Sequence, residues 1–176
     1  LDSEIRMLIV AVGSDQPEAP ALARARAADV PTFVVPMAED REVWNRDVVK
    51  HLQALETDLV VTAGFMRVLG GPVIEAFENR IINSHPALLP SFPGAHAVRD
   101  AIESGVKVTG CTIHIIDEGV DTGPIIAQCP VAVRDGDTVE SLHKRIKEHE
   151  RTLLVDVLRR IVREGVSVHG RTVAFG

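Results

Sequence analysis

Over its first half the chain alternates short branched-aliphatic runs with longer amphipathic stretches, the order expected of strand and crossover-helix units around a parallel sheet. Residues 5–12 read as a strand, 20–28 as a helix rich in alanine and arginine, and 31–35 as a second strand closed by Pro36. Residues 40–56 carry Val43, Trp44, Val48, Val49, Leu52 and Leu55 at three-and-four spacing, which predicts a helix burying one stripe. The run 58–62 (DLVVT) then reads as a central strand buried on both faces.

Residues 68–76 are predicted helical, 80–84 (RIINS) form a strand stopped by Pro86 and Pro90, and 97–103 form a short helix. Residues 108–116 alternate as VTGCTIHII, and 124–133 do so less cleanly across a glycine-bearing connection, so the two are predicted to pair antiparallel at an edge. The longest helix opens with Asp137 as N-cap and Glu140 three residues on, a capping-box-like start. It buries Leu142, Ile146, Leu153, Val157, Leu158 and Ile161, stops at Gly165, and leaves 166–174 as one last strand. The expectation is one α/β domain, 1–176, with a mostly parallel, doubly wound sheet and an antiparallel edge.

With 176 residues, 45% of them apolar, the chain can bury a core without metal or disulfide staples. A formal net charge of −6 argues against nucleic-acid or membrane partners, and no apolar run approaches the ~18 residues of a membrane span. The two cysteines, Cys111 and Cys129, form no C-x-x-C pairing and read as buried free thiols of a reducing, cytoplasmic compartment.

In open parallel sheets ligands bind beyond the carboxyl ends of strands, which selects three segments: 63–69 (AGFMRVL), 83–94 (NSHPALLPSFPG) and 117–124 (DEGVDTGP). In the second, Asn83 and His85 are two apart at a strand end, so both side chains project to one face with Ser84 opposite. An amide donor and an imidazole there can polarise a carbonyl and hold the oxyanion of a tetrahedral intermediate. Taken alone, N-x-H-P reads rather as a histidine serving backbone groups in a proline-rich loop. Asp121, in a glycine-flanked turn, can pair with His85 and favour its protonated form, although D-T-G-P is also ordinary turn chemistry. Asp117 and Glu118 read as solvated turn residues, and His114 as an inward structural residue or a helper near Asp121. His114 with Cys111 or Asp117 falls short of a zinc ligand set, so no metal is expected. Phe65 and Met66 read as core residues at a helix start, and Lys147 with Glu150 as a solvated pair on one helix face.

In order and spacing, five segments together resemble the phosphoribosylglycinamide formyltransferase family: GFMRVL at 64–69, INSHPALLPSFPG at 82–94, VTGCTIH at 108–114, DEGVDTGPI at 117–125 and RIKEHE at 145–150. HPxLLP alone would be shared with methionyl-tRNA formyltransferase and formyltetrahydrofolate deformylase. The first would continue with an arginine-glycine pair, and the second would carry a second histidine where Pro86 stands.

The resemblance implies transfer of a formyl group from 10-formyltetrahydrofolate to the amine of glycinamide ribonucleotide. His85 is then the proton donor, Asn83 binds the formyl oxygen, and Asp121 favours the protonated His85 and organises a proton-relay water. Arg41, Met66, Arg67, Val68 and Leu69, together with Asn83, Asp117, Glu118, Gly119, Val120 and Asp121, match folate-binding positions. Lys147, Glu148, His149 and Glu150 match the stretch that contacts the ribonucleotide, which reverses the solvated-pair reading. The family opens with a strand and a glycine-serine-glycine phosphate loop, and nothing like it precedes Ile5. The resemblance therefore implies a chain lacking its first strand, acting as a monomer or homodimer. A deformylase and a catalytically silent folate-binding domain are the alternatives.

Overall fold

The computed structural model describes residues 7–176, which form two compact units, one of residues 7–60 with Arg67–Arg80 and one of Val61–Met66 with Ile81–Gly176. In the first unit, β1 (Val12–Ser14) and β2 (Thr32–Val34) pair parallel, joined by α1 (Pro20–Ala27). The strand expected over 5–12 thus starts at Val12. Its positions 5 and 6 lie outside the described residues, and Leu8 and Ile9 are exposed, so their apolar character does not mark a paired strand here.

Helix α2 (Arg41–Ala54) starts where Asp40 accepts from the amides of Glu42 and Val43, satisfying two otherwise orphaned donors. Trp44 anchors its buried face at 1% exposure, with Nε1 donating to the Val35 carbonyl, whereas Val43, expected in the stripe, is exposed. Helix α3 (Gly71–Ala76) begins three residues later than the pattern predicts, because Pro72 suits only the first helical turn. Residues 68–70 carry no regular secondary structure ahead of it.

The second unit carries a sheet of order β3-β4-β5-β6-β8-β7, built from β3 (Val60–Ala63), β4 (Ile81–His85), β5 (Val108–Ile115), β6 (Ile125–Ala132), β7 (Val166–His169) and β8 (Thr172–Phe175). The expected α/β class and the antiparallel edge are both present: β5 and β6 pair antiparallel from Val108↔Ala132 to His114↔Ile125. The antiparallel region also takes in β4, paired with β5. Strand β3 stands at the end of this order, and of its residues only Thr62 is buried, so it is not the doubly buried central strand expected. The last strand is instead a hairpin, β7 and β8, turning at Gly170, whose φ of 61° suits glycine.

Helix α4 (Ala97–Glu103) falls where predicted. Helix α5 (Val139–Glu164) lays Leu142 and Ile146 against Val98, Cys111 and Val131, a core in which each aliphatic side chain contributes about 1.5–3 kcal/mol. Its N-cap is Thr138 rather than Asp137, in a reciprocal capping box with Ser141. Asp137 is drawn instead to Arg145. No described helix is long and apolar enough to cross a membrane.

Candidate active site

Strand β4 reads Ile-Ile-Asn-Ser-His, with two isoleucines buried before the polar residues arrive. It runs antiparallel to β5 with Asn83 opposite His114 and His85 opposite Thr112, so these four side chains share one face of the sheet. Ser84 and Ile113 take the other face.

The polar face is fully wired. His114, 1% exposed, places Nδ1 3.0 Å from the Ile115 carbonyl and Nε2 3.0 Å from Asn83 Nδ2. A ring donating from Nδ1 to a carbonyl keeps Nε2 as an acceptor when neutral, so Asn83 donates an amide N–H to it. The other end of that amide, Oδ1, accepts from the Thr62 hydroxyl at 2.8 Å. Both ends of Asn83 are thereby committed, leaving its second N–H for a ligand oxygen.

His85 is 4% exposed and has an acceptor at each ring nitrogen: the Phe92 carbonyl 2.8 Å from Nε2 and Asp121 Oδ2 3.3 Å from Nδ1. Only the imidazolium can donate to both at once. Asp121 also accepts from the Gly94 amide at 2.8 Å and lies 3.6 Å from His114 Nε2. The His114 ring first, when it carries its second proton and can donate from Nε2, then the Gly94 N–H and the charge of His85, hold the Asp121 carboxyl below its usual range against the opposing effect of burial.

Two loops bring these groups together. Asp117 Oδ1 accepts from the Gly119 amide and the Thr122 hydroxyl, closing a tight turn that sets Asp121 at a φ of 55°. Gly123 lets that turn lie on the end of β5, since a Cβ there would stand 1.8 Å from the Ile115 carbonyl oxygen. The proline-rich loop is pinned by Thr112, whose hydroxyl donates to the Ala87 carbonyl at 2.7 Å and accepts from the Leu89 amide at 3.0 Å. Gln128 Nε2 adds a bond to the Leu89 carbonyl at 2.8 Å. A cavity of about 150 Å³ lies beside Asp121, walled by Leu89, Pro93, Val120 and Ile125, with Arg171 at its rim.

The sequence-predicted trio Asn83, His85 and Asp121 is therefore brought together, with His114 as the helper the alternation suggested. Glu118, Gly119 and Val120 are exposed in the same turn, and Asp117 shapes it. Met66 is 70% exposed, not the core residue that composition suggested. In the first unit, Arg41 Nη2 donates to the Val68 carbonyl at 2.5 Å, Arg67 pairs with Asp15 at 2.8 Å, and Leu69 is 7% exposed. On α5, Lys147, Glu148 and His149 are exposed, whereas the half-buried Glu150 accepts from the Ser84 hydroxyl at 2.7 Å. Sequence reasoning missed Thr62, Ser84, Thr112 and Gln128. A hydroxyl inside the aliphatic run DLVVT was the one available signal for Thr62.

A family model described as formyl transferase matches residues 2–158, nearly the whole chain. The chain belongs to the formyl transferase family. Among curated members, the phosphoribosylglycinamide formyltransferase of Mycobacterium tuberculosis is 51% identical over 170 residues, covering 96% of this chain and 79% of the relative. That of Bacillus subtilis is 39% identical over 150 residues, covering 84% of this chain and 77% of the relative. Among solved family structures, glycinamide ribonucleotide transformylase 1 from Symbiobacterium toebii superposes with a TM-score of 0.92 at 43% identity, over 94% of this chain and 79% of that one.

Proposed function

We propose that this protein transfers the formyl group of 10-formyltetrahydrofolate to the primary amine of glycinamide ribonucleotide, a step of purine biosynthesis, in the cytoplasm and as a monomer or homodimer. The observation that carries the site assignment is the closed network Thr62–Asn83–His114–Asp121–His85. It presents one uncommitted amide N–H beside an imidazole with a carboxylate on its far nitrogen. Membership of the family, with close relatives named for this reaction, supplies the donor and the acceptor.

In this reading the amine nitrogen attacks the formyl carbon, and the carbonyl electron pair moves onto oxygen. The Asn83 N–H donates to that oxyanion, where a preorganised donor contributes most, and the His85 imidazolium, its own N–H groups held by Phe92 and Asp121, stabilises it by its charge. Proton movement from the attacking nitrogen to the folate nitrogen, assisted by His85 and a water held by Asp121, then lets the carbon–nitrogen bond to tetrahydrofolate break. Arg41 and residues 66–69 with 117–121 are assigned to the folate, and Lys147 to Glu150 to the ribonucleotide. Glu150 is the one of these four that Ser84 already holds in place.

The test is a formyl-transfer assay on the full-length protein with and without the amine substrate. Asn83→Ala is expected to lower kcat by about 10²–10³, the cost of one oxyanion donor. Near-normal turnover in that variant overturns the site assignment. Formate release that does not depend on the amine would make the protein a deformylase.

A further inference from the structure

We infer that Thr62 is a positioning residue for the reaction: its hydroxyl holds the Asn83 amide in the one orientation that leaves an N–H for the formyl oxygen. The inference rests on the proposed role of Asn83 and adds what enforces it.

An asparagine amide is nearly symmetric in shape, so packing alone does not distinguish its oxygen from its NH2 end. Two neighbours in the second unit make the distinction. The neutral His114 ring, with Nδ1 donating to the Ile115 carbonyl, takes an N–H from Asn83. Thr62 donates to Asn83 Oδ1 at 2.8 Å, a shorter path than the 3.4 Å to the Ile82 carbonyl. Turning the amide over would set Oδ1 against a ring lone pair and leave the Thr62 proton only the longer, 3.4 Å path to the Ile82 carbonyl, its oxygen now accepting from the NH2.

His114 alone is a weak lock, because its acceptor end becomes a donor on protonation and can then turn to Asp121 Oδ1, 3.6 Å away. Thr62 does not change its protonation, and its one proton has a single acceptor closer than 3 Å, Asn83 Oδ1. It is 8% exposed, and its neighbours in β3, Val60 and Val61, supply no donor. The buried hydroxyl of this aliphatic strand is satisfied by its bond to Asn83.

Thr62→Val keeps the shape and removes the donor; Thr62→Ser keeps the donor and loses a methyl. In the full-length protein, Thr62→Val is expected to lower kcat about tenfold, short of the ~10²–10³ for Asn83→Ala, with KM for both substrates unchanged. Thr62→Ser should restore most of the rate. In the Asn83→Ala background Thr62→Val should cost nothing more, because a residue acting through Asn83 has nothing left to position. An equal loss in both backgrounds, or no rescue by serine, overturns the inference and makes Thr62 a packing residue.

A readout apart from turnover is the side-chain amide resonance of Asn83, identified by its loss in Asn83→Ala. It should shift in Thr62→Val and return in Thr62→Ser, and an unmoved resonance overturns the inference. Failure of the site assignment looks different: Asn83→Ala would then turn over normally.

Discussion

Asp121 and Asp137 are both carboxylates in tight turns of the second unit, and both sit below their ordinary titration range, yet their neighbours differ in kind. Asp137 is held down first by Arg145, then by the Arg134 amide and the Ser141 hydroxyl, all permanent donors. Asp121 is held by His114, Gly94 and His85, and two of those three are imidazoles, rings that exist with one or two N–H groups. A depressed carboxylate therefore marks a proton-handling site only when its partners titrate. With a guanidinium and amides for company, it marks a brace.

The largest effect expected from this contrast is catalytic. Asp121→Asn should reduce kcat by about 10²–10⁴, the range of general acid–base assistance. The limb of the pH–rate profile that reports the network's proton should move to lower pH, because the negative charge favouring a protonated imidazole is gone. A profile of unchanged shape and position would reduce Asp121 to a turn residue. Stability follows from the sign of the shift: a lowered folded pKa stabilises the fold above the ordinary carboxylate range, and this contribution is lost as pH falls through the folded value. In urea titrations the gap between wild type and Asp121→Asn should accordingly narrow below about pH 4.

Asp137→Asn should show the opposite split. Its turn is a step before α5, it accepts from Arg134, Ser141 and Arg145, and Arg145 in turn donates to the Ala132 carbonyl, tying helix to sheet. Removing the charge should lower the urea midpoint while kcat stays as it was, and the loss should fade in acid as the wild-type carboxylate protonates. A fall in kcat without a fall in the midpoint would erase the distinction between the two turns.

The same pair shows what the sequence discloses. The strand-end period placed Asn83 and His85 on one face, and glycine flanks marked the turn of Asp121, because both are local rules. Asp137 was misassigned as the N-cap since it and Thr138 are equally good caps locally, and the choice falls to Arg145, eight residues on, which takes the aspartate away. The role of Thr62 was hidden for a like reason: a hydroxyl in DLVVT marks the residue, but its partner lies across a strand pairing that no periodicity there encodes. The α5 stripe and the antiparallel pairing of β5 with β6 were legible because long, regular burial repeats itself. Met66 was not, because an apolar residue after a strand can equally meet core or ligand, and it is exposed.

The smallest effect concerns a titratable group whose surroundings weigh against its charged form. Burial, followed by the charges of Glu150 and Cys129, pushes the Cys111 thiol up to about 12, so at pH 8 only about 10⁻⁴ of it is thiolate. Cys129, directly across the β5–β6 pair, is half-buried and lies 3.7 Å from His149 Nδ1. Iodoacetamide at pH 8 should therefore modify Cys129 alone in the native protein, and both thiols only after unfolding in urea. Counting adducts by mass spectrometry decides it. Native labelling of Cys111 would mean that the core under α5 opens, and that burial in this unit does not by itself set which groups react.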